Sequence, residues 1–512
     1  MKKGNGISYG ATVLALSNIL VKCIGLFFKI PLANLSGATA LAYFNMAMSV
    51  FSFGMIAVTA GLPTAAARLI AASPKGYRQR VSVAALIPAL IFGAISSVLI
   101  YLAAPKFALI AGSAACAPAI RAIAPGIFAC CAVSVLRALR QGEGDMHPTA
   151  ASQLIEAVVR LTVGLSLARK LVWRGPDMVA AGAAIGVAAG EFCALICLAP
   201  MIFRMRLRPV RSNMRTVTDL ARVALPLTAG SLIHTVLNIL DTRILLSALR
   251  ISGLTAASAT EIYGIYSGYC MTLISFPPTV IAALSAAVLP AVTAMYAVKN
   301  REEIVRIAER SLRTALFIAA PCAAGFISIP RELLSLLFHR AEDVATAAPL
   351  LAALSPSIVL LAVSAICRTL LIACGMTVRS VVSSLVSSSV RIVVIAVAAR
   401  IHGVGIFGAA LASCAAILTQ VVIDFISLRR LGIVSFRIRP LMPPILLSLP
   451  ILVLSPCTYR LLSMDIAPDM ATVLTVGVSA TVYLTFCTFF GFLKPTALFR
   501  RKSKRTHILK KC

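Results

Sequence analysis

Apolar runs of about twenty residues follow one another along almost the whole chain, separated by short breaks rich in Lys, Arg, Pro and Gly. Each run is long enough to cross the roughly 30 Å hydrocarbon core of a bilayer as an α-helix. Read this way, the first half holds candidate helices at Tyr9–Ala33, Ala38–Gly61, Val81–Ala103, Pro118–Arg140, Thr149–Lys170 and Val179–Phe203. The second half holds Leu220–Leu246, Ile262–Met295, Leu312–Ile329, Ala348–Ala373, Val378–Ala399 and Gly405–Leu428, and Leu441–Leu461 and Ala471–Leu493 follow. The first run comes after Lys2 and Lys3 but is too long for a signal-peptide h-region and lacks a clear small-residue cleavage site, so it is read as a span. The pattern predicts an all-α polytopic membrane protein with about fourteen transmembrane helices.

Composition points the same way. The 512 residues are 60% apolar and 13% charged, with mean hydropathy +0.95, whereas soluble proteins run near half apolar and a quarter charged. The charge is lopsided, 48 Lys and Arg against 17 Asp and Glu, a net +31 that alone would suggest nucleic acid. Its placement argues otherwise. With the N-terminus in the cytoplasm, alternate loops hold Arg68, Lys75, Arg78 and Arg80, then Arg137 and Arg140, then the cluster from Arg204 to Arg215. Further along they hold Lys299 to Arg313, Arg379, Arg429 to Arg439, and the tail from Lys494 to Lys511. The main exception is Arg169, Lys170 and Arg174 on the opposite side. This bias is the positive-inside signature, so both termini are expected in the cytoplasm. The remaining role of the basic loops is attraction to anionic lipid headgroups, and no nucleic-acid partner is expected.

Most of the 14 cysteines lie inside apolar runs, where they act as small hydrophobes. No metal-ligand spacing and no GxxxxGK[ST] phosphate loop is present, so no metal, cofactor or ATP hydrolysis is expected.

The chain also repeats itself. Pro125, Arg137, Gly144, Leu154 and Val159-Arg160 match Pro356, Arg368, Gly375, Leu385 and Val390-Arg391 without a gap. At nearby offsets Ser17 and Lys29 match Ser231 and Arg243, Leu62-Pro63 matches Leu289-Pro290, and Pro105 matches Pro330. The expected organisation is an N-lobe of six helices in residues 1–208 and a C-lobe of six in 215–430. Two further helices in 440–493 and a basic cytoplasmic tail in 494–512 complete it. Six is even, so the lobes enter the membrane from the same side as parallel repeats, a recurrent transporter plan with the substrate path between them.

Charges within spans need a partner or a watery cavity, since each costs about 2.5–3.5 kcal/mol on insertion scales. Lys22 and Lys29, seven apart in the first span, share one helical face. The seventh span carries Asp241 and Arg243, and as its repeat counterpart could face the first across the inter-lobe cavity. Such a cleft would be net cationic and suited to a phosphate or pyrophosphate; the alternative is that Lys29 and Arg243 snorkel to the interface and Asp241 neutralises one of them. A polar stripe holds Glu156 and Arg160 in the fifth span and Arg391 in the eleventh, and is expected to tie helices together within each lobe. Glu191 and Asp424 are isolated acids that could couple an ion or simply hold a local hydrogen bond.

Ser17-Asn-Ile-Leu-Val-Lys22-Cys-Ile-Gly25-Leu-Phe-Phe-Lys29-Ile-Pro31-Leu and Thr59-Ala-Gly61-Leu-Pro63 resemble the opening of the stage V sporulation protein B family of polysaccharide biosynthesis proteins. Ala224-Leu-Pro226, Asn238-Ile-Leu-Asp241 and Thr260-Glu261-Ile-Tyr263-Gly264 agree with it. The resemblance implies a superfamily of flippases and multidrug and toxin extrusion antiporters, built as two six-helix lobes around a cavity open to one side at a time. It further implies export of undecaprenyl-pyrophosphate-linked sugars for cell-wall, spore-cortex or surface polymers, with Lys22 and Lys29 standing where lipid II flippases place cavity cations. Those proteins carry an arginine in the second span, and Phe44 through Gly61 contains none. The expected function is therefore a non-enzymatic flippase of a lipid-linked anionic glycan in the cell membrane, in possible association with cell-wall synthesis machinery. The rivals are a cation-coupled multidrug antiporter, a membrane glycosyltransferase or polymerase, and a scaffold without transport.

Overall fold

No water reaches the bilayer core, so backbone N–H and C=O groups there must be satisfied within the chain, and helices do this locally. The computed structural model describes residues 3–72, 75–204, 214–401, 405–432 and 441–490, and holds no strand among them. The expected basic tail lies outside the described residues, as do residues 205–213 and 433–440 of the basic loops. The first half runs α1 (Lys3–Thr59), α2 (Leu62–Ala72), α3 (Lys75–Leu102), α4 (Ala104–Ala111), α5 (Ala117–Glu143), α6 (His147–Lys170) and α7 (Pro176–Arg204). The second runs α8 (Met214–Ile251), α9 (Ala256–Gly264), a π-helical segment (Ile265–Cys270), α10 (Met271–Ile274), α11 (Phe276–Ala297) and α12 (Arg301–Ser328). It continues with α13 (Pro330–Leu337), α14 (Ala341–Leu354), α15 (Pro356–Ala373), α16 (Thr377–Ala398) and α17 (Phe407–Arg430). Last come α18 (Met442–Ser448), α19 (Ile451–Leu462) and α20 (Pro468–Phe489).

Among the described residues, 12 helices are long and apolar enough to cross a membrane. One of them, α1, is two spans: Gly37 adopts φ 78° and breaks the helix. That left-handed conformation favours glycine, and a Cβ there would lie 2.7 Å from the Arg340 guanidinium. The stretch from α9 to α11 is a further crossing, interrupted by its π-helical turns. The total is about fourteen, as the hydropathy pattern predicts.

Matched positions of the repeat take matched local structure. Pro105 and Pro330 each open an eight-residue helix after a long one, α4 and α13. Gly144 and Gly375 each close a helix at positive φ, 85° and 78°. At both ends the following amide reaches back five residues, Asp145 to the Arg140 carbonyl and Met376 to that of Leu371.

Large side chains face outward and small ones face neighbours, the arrangement expected where lipid replaces water. On α3, Ile87, Ile91, Ile95 and Leu102 are exposed, while Ala85 and Ala89 are buried. Gly182, Gly186 and Gly190 of α7 lie along α6, and a Cβ at Gly186 would sit 2.3 Å from the Gly164 Cα. Between the halves, α1 packs on α8 and α9, and α2 packs on α8. The final helices dock on α12, with Phe317 and Tyr483 ring centres 5.3 Å apart. They enclose an apolar cavity of about 320 Å³ beside it.

Candidate functional site

Seven residues are two helical turns, so Lys22 and Lys29 stand on one side of the first span about 10 Å apart along its axis. Both line a cavity of about 340 Å³ between the halves of the molecule. Gly25 lies between them on the same wall, and a Cβ built there would meet no atom within 4 Å. Phe28 and Phe44, with ring centres 5.4 Å apart, form an apolar flank, and Asn45 and Met48 extend it.

The second half contributes hydroxyls. Thr272 of α10, Ser275, and Thr279 of α11 line the opposite wall, and Lys29 Nζ donates to Thr272 Oγ1 at 3.5 Å. Nearby, Asn45 Nδ2 donates to Ser267 Oγ at 3.2 Å, a second bond between the halves. Arg160 of α6 supplies a third cation to the lining, and no carboxylate lines this cavity among the described residues.

The seventh span does not supply the facing wall. Asp241 and Arg243 are absent from the lining, because Asp241 on α8 meets α16 instead. There Arg391 Nε lies 2.9 Å from Asp241 Oδ1. Arg391 Nη2 donates to Tyr266 Oη at 2.8 Å, and Tyr266 Oη lies 3.0 Å from Ser413 Oγ. Arg243 is exposed, so the acid beside it is held by a residue far along the chain. The wall facing Lys29 comes from the eighth span, whose hydroxyls at 272, 275 and 279 recur every three or four residues within an apolar run.

The polar stripe ties helices together and, at one point, reaches the cavity. Glu156 accepts from Arg137 Nη2 at 3.0 Å and also from Arg160 Nη2, while Arg137 Nε donates to Ser152 Oγ at 2.9 Å. This links α5 to α6. In the second half Ser383 donates to Asp424 of α17, Ser387 Oγ donates to the Ala416 carbonyl at 2.7 Å, and Gln420 donates to Ser384. Glu191 and Asp424 are both buried, each with one carboxylate oxygen that has no hydrogen-bond partner, and neither lines the cavity.

At one end the two halves are joined by a clamp that sequence reading missed. Asn34, just before the Gly37 break, donates to the Leu337 carbonyl at 3.0 Å and accepts from the His339 amide at 3.1 Å. Beside it Tyr269 stacks on Phe338 at 4.0 Å and donates to Asp343 at 2.7 Å.

Known proteins share this architecture. The family model described as polysaccharide biosynthesis protein matches residues 7–296, and a second, MatE, matches 226–397. Stage V sporulation protein B of Bacillus subtilis (strain 168) is 25% identical over 418 residues, 79% of this chain and 80% of its own. The lipid II flippase MurJ of the same organism is 24% identical over 343 residues, 62% of this chain and 63% of its own. Among solved structures, lipid II flippase MurJ in an inward closed conformation superposes with TM-score 0.73 at 14% identity, covering 94% of this chain and 98% of that one. An inward-facing multidrug resistance MATE family transporter of the MOP superfamily gives TM-score 0.67 at 17% identity, covering 82% and 100%. The family model over residues 7–296, more than half of the sequence, together with the helical bundle, makes the chain a member of the polysaccharide biosynthesis protein family.

Proposed function

We propose that this transporter is a flippase for a lipid-linked anionic glycan, carried across the cytoplasmic membrane by alternating exposure of the cavity. The observation that carries the reading is the wall bearing Lys22 and Lys29, set opposite hydroxyls from the other half with no acid in the lining among the described residues. A phosphate or pyrophosphate head group is the costly part of such a lipid to move, because a bare charge in hydrocarbon loses its water. Fixed cations and hydroxyls replace that water, while the polyprenyl tail stays in lipid. The basic loops place both termini in the cytoplasm in this reading. The halves 1–208 and 215–430 act as the two rocking bodies.

Purified protein in liposomes, scored for outward movement of a fluorescent undecaprenyl-pyrophosphate-linked sugar, tests it. Lys22→Ala and Lys29→Ala are each expected to lower the rate about ten- to a hundredfold, the loss of one charge-assisted contact. Undiminished transport in both would remove the cavity assignment, and no movement of such lipids by the wild type would remove the function.

Gly25 offers an independent check. Leucine at this position is expected to fill the cavity while leaving stability unchanged or raised by up to about 1 kcal/mol, since glycine is a poor helix former. Thermal melting together with the flipping assay separates the two effects; a Gly25→Leu variant that transports at the wild-type rate would place the substrate elsewhere.

A further inference from the structure

The stripe residue Arg160 has two environments at once. One guanidinium nitrogen is bound by Glu156, which Arg137 holds from the other side, yet the side chain also lines the cavity with Lys22 and Lys29. Its Nε is buried and has no hydrogen-bond partner. A guanidinium needed only to neutralise Glu156 would be redundant, because Arg137 already makes that pair at 3.0 Å and is anchored by Ser152. Among the described residues, Arg160 is also the only guanidinium that lines this cavity.

We propose that Arg160 is the third substrate-binding cation and confers preference for a diphosphate over a monophosphate, with Glu156 holding it ready while the cavity is empty. The proposal rests on the reading of the cavity as a head-group site. Lysines are compact point charges, and two of them on one helix can each take a phosphate oxygen. A second, linked phosphate needs donors from another direction, and Arg160 reaches the cavity from α6 with a planar fork suited to two oxygens. As the anion enters, Arg160 turns its free edge to it and Glu156 passes to Arg137. No charge is then left bare in the membrane, either with the cavity empty or with it filled.

The probes are farnesyl pyrophosphate and farnesyl monophosphate, titrated by calorimetry against the full chain in lipid nanodiscs. The wild type is expected to bind the pyrophosphate about tenfold more tightly. Arg160→Gln should abolish that preference while retaining monophosphate binding, whereas Lys29→Gln should weaken both ligands. Arg160→Lys keeps the charge and the pair with Glu156 but loses the fork, so it is expected to fold normally and keep only part of the preference. A purely structural Arg160 would alter melting and leave the ratio of the two affinities unchanged, and an unchanged ratio in Arg160→Gln or Arg160→Lys overturns the proposal. A wild type that binds neither probe overturns the head-group reading itself and this inference with it, an outcome distinct from loss of preference alone.

Discussion

Replacing Glu156 with alanine is expected to destabilise the protein by about 3–5 kcal/mol, the range for breaking a buried ion pair from one side. The carboxylate is 12% exposed and lies between Arg137 at 16% and Arg160 at 24%. Its removal leaves two guanidiniums inside the bundle with no acid between them. The loss should be strongly non-additive with Arg137→Met, because removing one arginine together with the acid restores near-neutrality. Glu303→Ala is the contrasting control: its pair with Arg306 is 71% exposed on the arginine side and should be worth under about 1 kcal/mol. Reversible unfolding in mixed detergent micelles measures all of these. A Glu156→Ala variant within about 1 kcal/mol of wild type would show that water already solvates the arginines, and would also weaken the case for Arg160 being held in reserve.

Two glycines packed at opposite ends of the second span, Gly264 of α9 against its start and Gly61 at its close, should respond to enlargement with opposite signs. A Cβ at Gly264 would lie 2.0 Å from the Ala38 carbonyl oxygen, and one at Gly61 would lie 2.1 Å from that of Ala224. Ala38 and Gly61 are about 35 Å apart along a helix. Each close approach joins the first half to the second, so under the proposed alternating exposure each is a contact that one open state would keep and the other break. Valine at Gly264 is expected to pry open the end that Asn34 clamps, and valine at Gly61 the other end. Overpacking of this kind costs about 1–3 kcal/mol, enough to shift a two-state population severalfold to a hundredfold. Spin-label distances between the halves at each end read the shift. If both variants widen the same end, or neither moves, these glycines are not the hinged contacts of alternating access.

The fold was largely legible in the chain because hydrocarbon imposes a coarse requirement: about twenty apolar residues in helical form, repeated. The repeat was legible for a similar reason, since Pro105 and Pro330 begin short helices wherever the chain leaves a long one, and Gly144 and Gly375 end helices in a conformation other residues resist. Lys22 and Lys29 were paired by spacing alone, because seven residues return to the same face of a helix. The break at Gly37 falls between the first two spans read from hydropathy, Tyr9–Ala33 and Ala38–Gly61, although the two helices follow each other without a loop.

What faces these lysines could not be read so directly. Asp241 and Arg243 lie on the repeat counterpart of the first span, where Arg243 matches Lys29, yet their helix is rotated so that Asp241 meets Arg391, about 150 residues further along. The facing wall is instead Thr272, Ser275 and Thr279, and the third cation is Arg160, which spacing had assigned to the polar stripe with Glu156. The sequence by itself determined that the chain is a helical membrane protein with an internal repeat and two lysines on one helical face, since hydropathy and helical period act locally. Only the tertiary structure decided which charges are neutralised by each other and which line the cavity between the halves, because that depends on the rotation of each helix against its neighbours, which no local spacing encodes.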